Sequence, residues 1–344
     1  MTNVLAKELL DRLNAPHATA PDGLPAEPWL TLDLSAVSTA GVDVSVFERS
    51  TASAPIVIGV LADAPTGAAV SLMRACTVTL STRPRPEPQV VTVGDVAVAL
   101  EKLTSAIQAH PVAAISLGRL LRLQARLPVQ EALVAESAHY SFLLAGTEFA
   151  TWLAGRDNRR SQETADPVEV TLEQGVLRIV LSRPARRNAF NAAMREALCD
   201  ALAAAAGDPT LRVEISGRGP DFCAGGDLDE FGTSRDPAVA HLLRTARSAG
   251  LALDRVAHRT TAFLHGNCIG AGIEVPAFAG RVVARSDARI RLPELSMGLI
   301  PGAGGTVSLT RRIGRWRTAW LALTGETLGP SVALDWGLID EVRP

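Results

Sequence analysis

Hydrophobic positions change their period several times along the chain. Leu5, Leu9, Leu10 and Leu13 recur at helical spacing and predict a short helix over residues 1–14. Residues 17–27, rich in Pro and Ala, read as a linker. Compact apolar runs at 29–34 and 56–61 predict strands, the second fully buried; a helix over 69–76 and a short strand over 78–81 follow. The run Arg83-Pro84-Arg85-Pro86-Glu87-Pro88 interrupts regular structure, because proline has no N–H and a fixed φ. From 94 to 155 the pattern is helical. Val96, Leu100, Leu103 and Ile107 keep the period until Pro111 ends that helix, and further helices are predicted over 113–127 and 129–155. Residues 156–165 are polar and basic, a connector.

Beyond the connector, strands and helices alternate. Residues 168–173 and 176–182 predict a hairpin with Gly175 in its turn. Asn191 can cap a helix over 192–206 whose inner face carries Met194, Leu198 and Leu202. A strand over 211–216, a helix over 238–257, a strand over 261–265 and short strands at 282–284 and 290–292 complete the pattern. This alternation defines an α/β class.

Composition narrows the function. The length of 344 residues allows one large domain or two modest ones, and a net charge of -2 gives no reason to expect a nucleic-acid partner. Cys76, Cys199, Cys223 and Cys268 are scattered without metal-ligand spacing, and read as reduced, buried thiols of a cytoplasmic protein. His139, His241 and His258 offer no metal spacing either. No basic-then-apolar leader and no apolar run long enough to span a bilayer is present, so no membrane association is expected.

Candidate chemistry concentrates in His265-Gly266-Asn267-Cys268-Ile269-Gly270-Ala271-Gly272-Ile273-Glu274. Small residues here let a ligand approach backbone N–H groups, which at a helix start lack intrahelical partners and face the positive end of its dipole. Such donors can hold a developing oxyanion, with Glu274 about one turn away. A glycine-bearing turn with an incidental Glu explains the stretch equally well on its own. Two further stretches change that balance: 293–306, again with one Glu (Glu294) among apolar and small residues, and Asp221-Phe222-Cys223-Ala224-Gly225-Gly226-Asp227-Leu228.

In this order and spacing the three stretches resemble the enoyl-CoA hydratase/isomerase (crotonase) family, and Arg183-Pro184-Ala185-Arg186-Arg187-Asn188-Ala189-Phe190 resembles its opening motif. The resemblance covers residues 167–344. It implies a crotonase-like spiral of ββα repeats and an acyl-CoA thioester substrate, with no other cofactor and no metal. Matched by position, the N–H groups of Gly226 and Ala271 would stabilise the enolate oxygen, each worth on the order of 3 kcal/mol. Ala271 stands where the family has Gly, which is acceptable if its φ/ψ allow. Glu274 and Glu294 match the two glutamates of the family's hydratases, one ionised to activate water and one protonated to deliver a proton, in an order left open. Their joint presence favours hydration over isomerisation. Arg187, Asn188, Ala189 and Phe190 would lie near the nucleotide, and Gly226, Asp227 and Leu228 near the pantetheine and thioester. Arg187 either pairs with a phosphate or is a solvated arginine, Asp227 orders its turn, and His265 is a buried strand-end residue. Pro276 and Ala279-Gly280 depart from the family pattern and put the aim of Glu274 in question.

The first half suggests an unusual arrangement. Residues 100–156 resemble helices that family members carry after the core, where they cover the acyl pocket and help form the oligomer. Residues 1–90 then read as an α/β extension, a degenerate core without the site; 91–160 as helices standing in for C-terminal ones; and 167–344 as the catalytic core. The expectation is an enoyl-CoA hydratase, homo-oligomeric (trimer or hexamer) by resemblance. Another reaction on acyl-CoA, isomerisation or C–C hydrolysis, and a non-catalytic acyl-CoA-binding scaffold remain alternatives.

Overall fold

A computed structural model describes residues 20, 23–24, 26–35, 56–62, 65, 67–156, 166–234 and 236–344. The helix expected over 1–14 and most of the linker and connector lie outside the described residues. The first described unit is a parallel sheet in the order β1 (Trp29–Asp33), β2 (Ile56–Val60), β3 (Val78–Ser81), β4 (Val90–Thr92), with α1 (Gly67–Ala75) between β2 and β3. β2 and β3 are buried on both faces, which explains their unbroken apolar character. Val57 and Val90 pack with Leu30, Leu32 and Met73 in one cluster, while Ile56, Ile58, Val78 and Leu80 join the main core.

Four helices follow: α2 (Val96–Ala109), α3 (Pro111–Gln124), α4 (Val129–Leu144) and α5 (Thr147–Ala154). Asp95 caps α2, its Oδ1 accepting from the N–H groups of Ala97 and Val98 at 2.7 and 3.1 Å. Pro111 is the first residue of α3, where its missing N–H costs nothing. The single helix expected over 129–155 is two. Gly146 adopts an extended conformation (φ -86°, ψ 160°) and α5 restarts at Thr147, because glycine gains little from remaining helical. The restart brings Glu148 to the start of α3, where it accepts from Val112 and Ala113 N–H at 2.8 and 3.2 Å.

The second half is built on a six-stranded sheet in the order β12 (Glu341–Arg343), β10 (Arg281–Arg285), β8 (Thr260–Leu264), β7 (Arg212–Gly217), β6 (Val176–Leu181), β5 (Val168–Glu173). Only the β5–β6 hairpin is antiparallel. A two-stranded parallel pair, β9 (Asn267–Ile269) and β11 (Arg289–Arg291), lies outside it. Helix α6 (Ala192–Gly207) starts at Asn191, whose Oδ1 accepts from Met194 N–H at 2.9 Å, and buries Met194, Leu198 and Leu202. The helix expected over 238–257 is also divided, into α7 (Pro237–Ala246) and α8 (Ala249–Asp254). Ser248 interrupts the period and caps the second piece by accepting from Leu251 N–H. The last helices are α10 (Gly305–Thr324), kinked at Gly314, and α11 (Pro330–Trp336); the one-turn α9 (Ala271–Glu274) belongs to the site.

One apolar cluster runs from Ile56 to Ile339 and includes residues of α2–α5 and α10, so the two halves share a core. All four cysteines are buried, as expected, and burial pushes the Cys76 and Cys223 thiols up to about 11 and about 12. Among the described residues no helix is long and apolar enough to cross a membrane. Replacing Glu148 by Ala leaves two N–H groups at the start of α3 unanswered. A loss of about 1–2 kcal/mol is expected in urea unfolding, with the slope unchanged.

Candidate active site

The turn over 221–228 is fastened to β9. Phe222 and Cys223 N–H donate to His265 and Asn267 carbonyls at 2.9 and 3.0 Å, and Ile269 N–H returns a bond to Cys223 O at 3.0 Å. Asp221 Oδ1 adds bonds from the Asn267 N–H and side-chain amide at 2.9 and 2.6 Å. Beside it, Phe190 N–H donates to Gly225 O at 2.7 Å and Asp227 N–H to Phe190 O at 2.9 Å. This pairing skips Gly226. Neither Gly226 nor Ala271 N–H has an acceptor among the described residues, and both residues line the same cavity of about 960 Å³. Ala271 is helical, so the φ/ψ condition on it is met.

Gly270 is where two carboxylates converge. At φ 50° and ψ -122° it holds a conformation that side chains avoid, and a Cβ there would lie 2.6 Å from Glu294 Oε1 and 3.6 Å from Glu274 Oε1. Gly270 N–H donates to Arg291 O at 2.9 Å, which ties the end of β9 to β11 and delivers Glu294 three residues later. Glu274 ends α9, and Pro276 opens a separate 3-10 turn (Pro276–Phe278), so its missing donor breaks nothing. With one turn of helix the expected dipole contribution is small, and the two free N–H groups carry the electrostatics. Gly280 N–H donates to Ala257 O at 2.8 Å, so the small residues at 279–280 serve chain packing.

Sequence reasoning missed a third carboxylate, Glu136 of α4, which is 2% exposed. Its Oε1 accepts from Gly304 N–H at 2.7 Å, and its Oε2 from Thr306 N–H at 2.9 Å and Thr306 Oγ1 at 2.6 Å. Glu274 Oε2 takes the alternate N–H groups of this segment, Ala303 at 2.7 Å and Gly305 at 2.9 Å. The available signal was an acid on an inward helical stripe with Ala132, Leu133, Ser137 and Ser141. The first-half helices therefore lie against both glutamates. Tyr140 of α4 lies on Gly302, and Phe149 and Trp152 of α5 pack with Phe231, which abuts Gly226.

Burial and proximity raise all three carboxyls. Burial lifts Glu274 to about 7, against donors from Ala303 and Gly305 that hold it down. Burial and then the Glu274 charge lift Glu136 to about 8, although Thr306 and Gly304 donate to it. Glu294 is raised well above the carboxylate range by burial and then by Glu274, and its Oε2 has no hydrogen-bond partner among the described residues. All three carboxyls are thus raised, and a charge on Glu274 pushes Glu136 and Glu294 further up.

The cavity brings together six of the expected residues: Phe190, Gly226, Asp227, Ala271, Glu274 and Glu294. Arg187, Asn188, Ala189 and Leu228 lie outside it. Arg187 is 69% exposed and 3.8 Å from Asp221, and is open to an anion. Asn188 is fully buried; its amide accepts from Arg183 N–H and donates to the Arg218 and Asp221 carbonyls, so its side chain shapes the turn and cannot reach a nucleotide. Asp227 pairs with Arg183 and Arg186 at 2.8 and 3.0 Å and orders the turn, as expected. His265 corrects its expectation: it is half-buried just past β8, with Nε2 3.0 Å from Gly219 O. Among the described residues no cluster of His, Cys, Asp or Glu could hold a metal ion.

Two free N–H donors and two buried carboxylates thus line one cavity. The sequence model of the enoyl-CoA hydratase/isomerase family matches residues 171–344, and the chain belongs to that family. Among its relatives, the 2,3-dehydroadipyl-CoA hydratase of Escherichia coli (strain K12) is 38% identical over 51% of this chain and 68% of its own length. The 1,2-epoxyphenylacetyl-CoA isomerase of the same organism is 33% identical over 50% of this chain and 67% of its own. A crystal structure of enoyl-CoA hydratase from Thermoplasma volcanium GSS1 is 36% identical, covering 52% of this chain and 72% of that one, with a TM-score of 0.46. The chain thus spans about two thirds of the length of these relatives, and the family model lies in its second half. The relatives are enzymes that include hydratases and isomerases.

The raised carboxyls have a cost that grows with pH. The folded state holds the Glu136 proton to about 8, whereas an unfolded glutamate releases it near 4.5, so stability from this group is full below 4.5 and is lost as pH rises toward 8. Glu136→Gln removes that loss. Its stability relative to the native protein is expected to improve by up to about 1.4 kcal/mol per unit between pH 5 and 8, measured by urea unfolding.

Proposed function

We propose that the protein adds water across the 2,3 double bond of a 2-enoyl-CoA thioester, giving a 3-hydroxyacyl-CoA. The observation that carries this reading is the pair of glutamates meeting over Gly270 beside the free N–H groups of Gly226 and Ala271. In this reading the thioester oxygen accepts from both N–H groups. Glu274, taken as the ionised member of the pair, accepts a proton from water as the water oxygen bonds to C3. The displaced π electrons collect on the thioester oxygen as an enolate, where the two donors stabilise it. Glu294 stays protonated and delivers its proton to C2, for which its unpartnered Oε2 suits it. Transfer of the proton on Glu274 to Glu294 restores both groups.

The coenzyme A portion belongs to the substrate, and no other cofactor or metal enters this scheme. In this reading residues 187–190 lie near the nucleotide, with Arg187 exposed for a phosphate, and 226–228 lie near the pantetheine and thioester. The same reading assigns residues 29–81 to a degenerate core and the helices of 96–154 to the cover of the acyl pocket, supported by Glu136, Tyr140 and Phe149 in the cavity wall. It also includes a cytoplasmic location and a homo-oligomer, trimeric or hexameric.

Mass spectrometry of short, long and cyclic 2-enoyl-CoA thioesters after incubation is the direct test. Gain of one water with CoA retained is expected. Unchanged mass with altered retention would assign isomerisation instead, released CoA or acid would assign hydrolysis, and binding without turnover a scaffold. Glu274→Gln and Glu294→Gln are each expected to lower kcat by about 10²–10⁴-fold. A binding protein would lose nothing. The pH profile of kcat/KM should rise through about 7 as Glu274 ionises and fall at higher pH as Glu294 loses its proton.

A further inference from the structure

Arg244 differs from the other cations of the cavity wall. It projects from α7 toward α4, its Nε donating to Ser137 Oγ at 3.1 Å and its Nη2 to Ser137 O at 3.3 Å and to Ser141 Oγ. Nη1 has no acceptor, and no carboxylate lies within ion-pair distance of the group, among the described residues. Its neighbours are neutralised: Arg195 by Glu196 at 2.8 Å, and Arg247 by Glu196 and by Asp200 at 2.6 Å.

Its position is as informative as its lack of a partner. The guanidinium lies over the Tyr140 ring, 4.9 Å from the centroid, and that ring packs on Gly302, next to Ala303, whose N–H binds Glu274. The cation is therefore one aromatic ring beyond the paired glutamates. The Tyr140 hydroxyl has no hydrogen-bond partner among the described residues either. Burial pushes Arg244 down from its ordinary range, with Tyr140 and Glu136 countering. A half-buried guanidinium without a counter-ion keeps much of its desolvation cost, and a ligand carboxylate would offset it through charge-assisted bonds to the free N–H groups.

We propose that Arg244 anchors a terminal carboxylate on the acyl chain, so that the substrates are CoA half-thioesters of dicarboxylic acids. This rests on the acyl-CoA reading of the cavity. The thioester oxygen sits at Gly226 and Ala271, C2 and C3 at the glutamates, the intervening methylenes run along the apolar Tyr140 ring, and the far carboxylate meets Nη1. A chain ending in methyl leaves Arg244 unpaired.

The test is calorimetric titration with saturated CoA thioesters of four, six and eight carbons, each as a pair ending in methyl or in carboxylate. At one length or more the carboxylate-ended member is expected to bind about tenfold tighter or better, and Arg244→Gln to reduce that ratio to about twofold or less. Equal or weaker binding of the carboxylate-ended member in every wild-type pair overturns the proposal. So does an Arg244→Gln variant that loosens both members alike, the signature of a contact to a CoA phosphate or of a purely structural tie between α7 and α4. Should that variant not fold, as judged by circular dichroism, the wild-type ratios and Arg244→Lys decide. Lysine keeps the charge without the fork, so part of the preference should survive. Assaying hydration of the matching 2-enoyl pairs separates the two readings: a carboxylate preference in binding with no turnover would sink the hydratase and leave the anchor standing.

Discussion

Four successive backbone N–H groups, from Ala303 to Thr306, are divided between two buried carboxylates. Ala303 and Gly305 serve Glu274; Gly304 and Thr306 serve Glu136. The rest of the site depends on this alternation. A buried carboxylate that loses its donors costs several kcal/mol or takes up a proton. With two donors on Oε2, Glu274 is held in one orientation, and those donors pull against the burial that lifts it to about 7. The segment itself is held from the opposite side by Glu136, which belongs to a helix more than a hundred residues earlier in the chain. Like charges in one buried cluster raise one another, and a charge on Glu274 adds to the burial that lifts Glu294 and Glu136.

The two halves of the chain consequently divide one task. The second half supplies the turns and strand ends that place Gly226, Ala271, Glu274 and Glu294. The first half supplies the wall: Glu136 and Tyr140 from α4, Phe149 and Leu153 from α5. Their contact is a continuous apolar core, not a surface docking, and α10 of the second half packs directly on α3 of the first. A cut between the halves would expose the carboxylates to water and return them toward ordinary ionisation.

Much of this was legible from local pattern. The β5–β6 hairpin, the Asn191 cap and the strand over 78–81 rest on turn chemistry and short-range periodicity, and the structure keeps them within a residue. The two long helices that proved to be divided, at Gly146 and at Ser248, show where period alone fails. The apolar spacing carries on across each break, while a glycine with little helical preference and a serine competing for backbone N–H end the helix locally. Asn188 shows the same limit for function. Its place in a ligand-side motif was readable, but that its amide is spent wholly on three backbone groups was not.

By itself the sequence determined the class of the fold and the family of its second half, and it singled out four groups that the fold brings to one cavity, because those depend on small residues and acids at short, fixed separations. It also marked residues 100–156 as helical, and of these helices α4 and α5 line the cavity. Only the tertiary structure decided that Glu136 completes the carboxylate cluster, that shared burial raises all three of its members, and that Arg244 stands in the cavity wall without a counter-ion among the described residues. Each of these is a matter of distance and burial between residues far apart in the chain. A lone glutamate or arginine on a helix carries no local mark of the partner it will meet, or lack, once the core has closed.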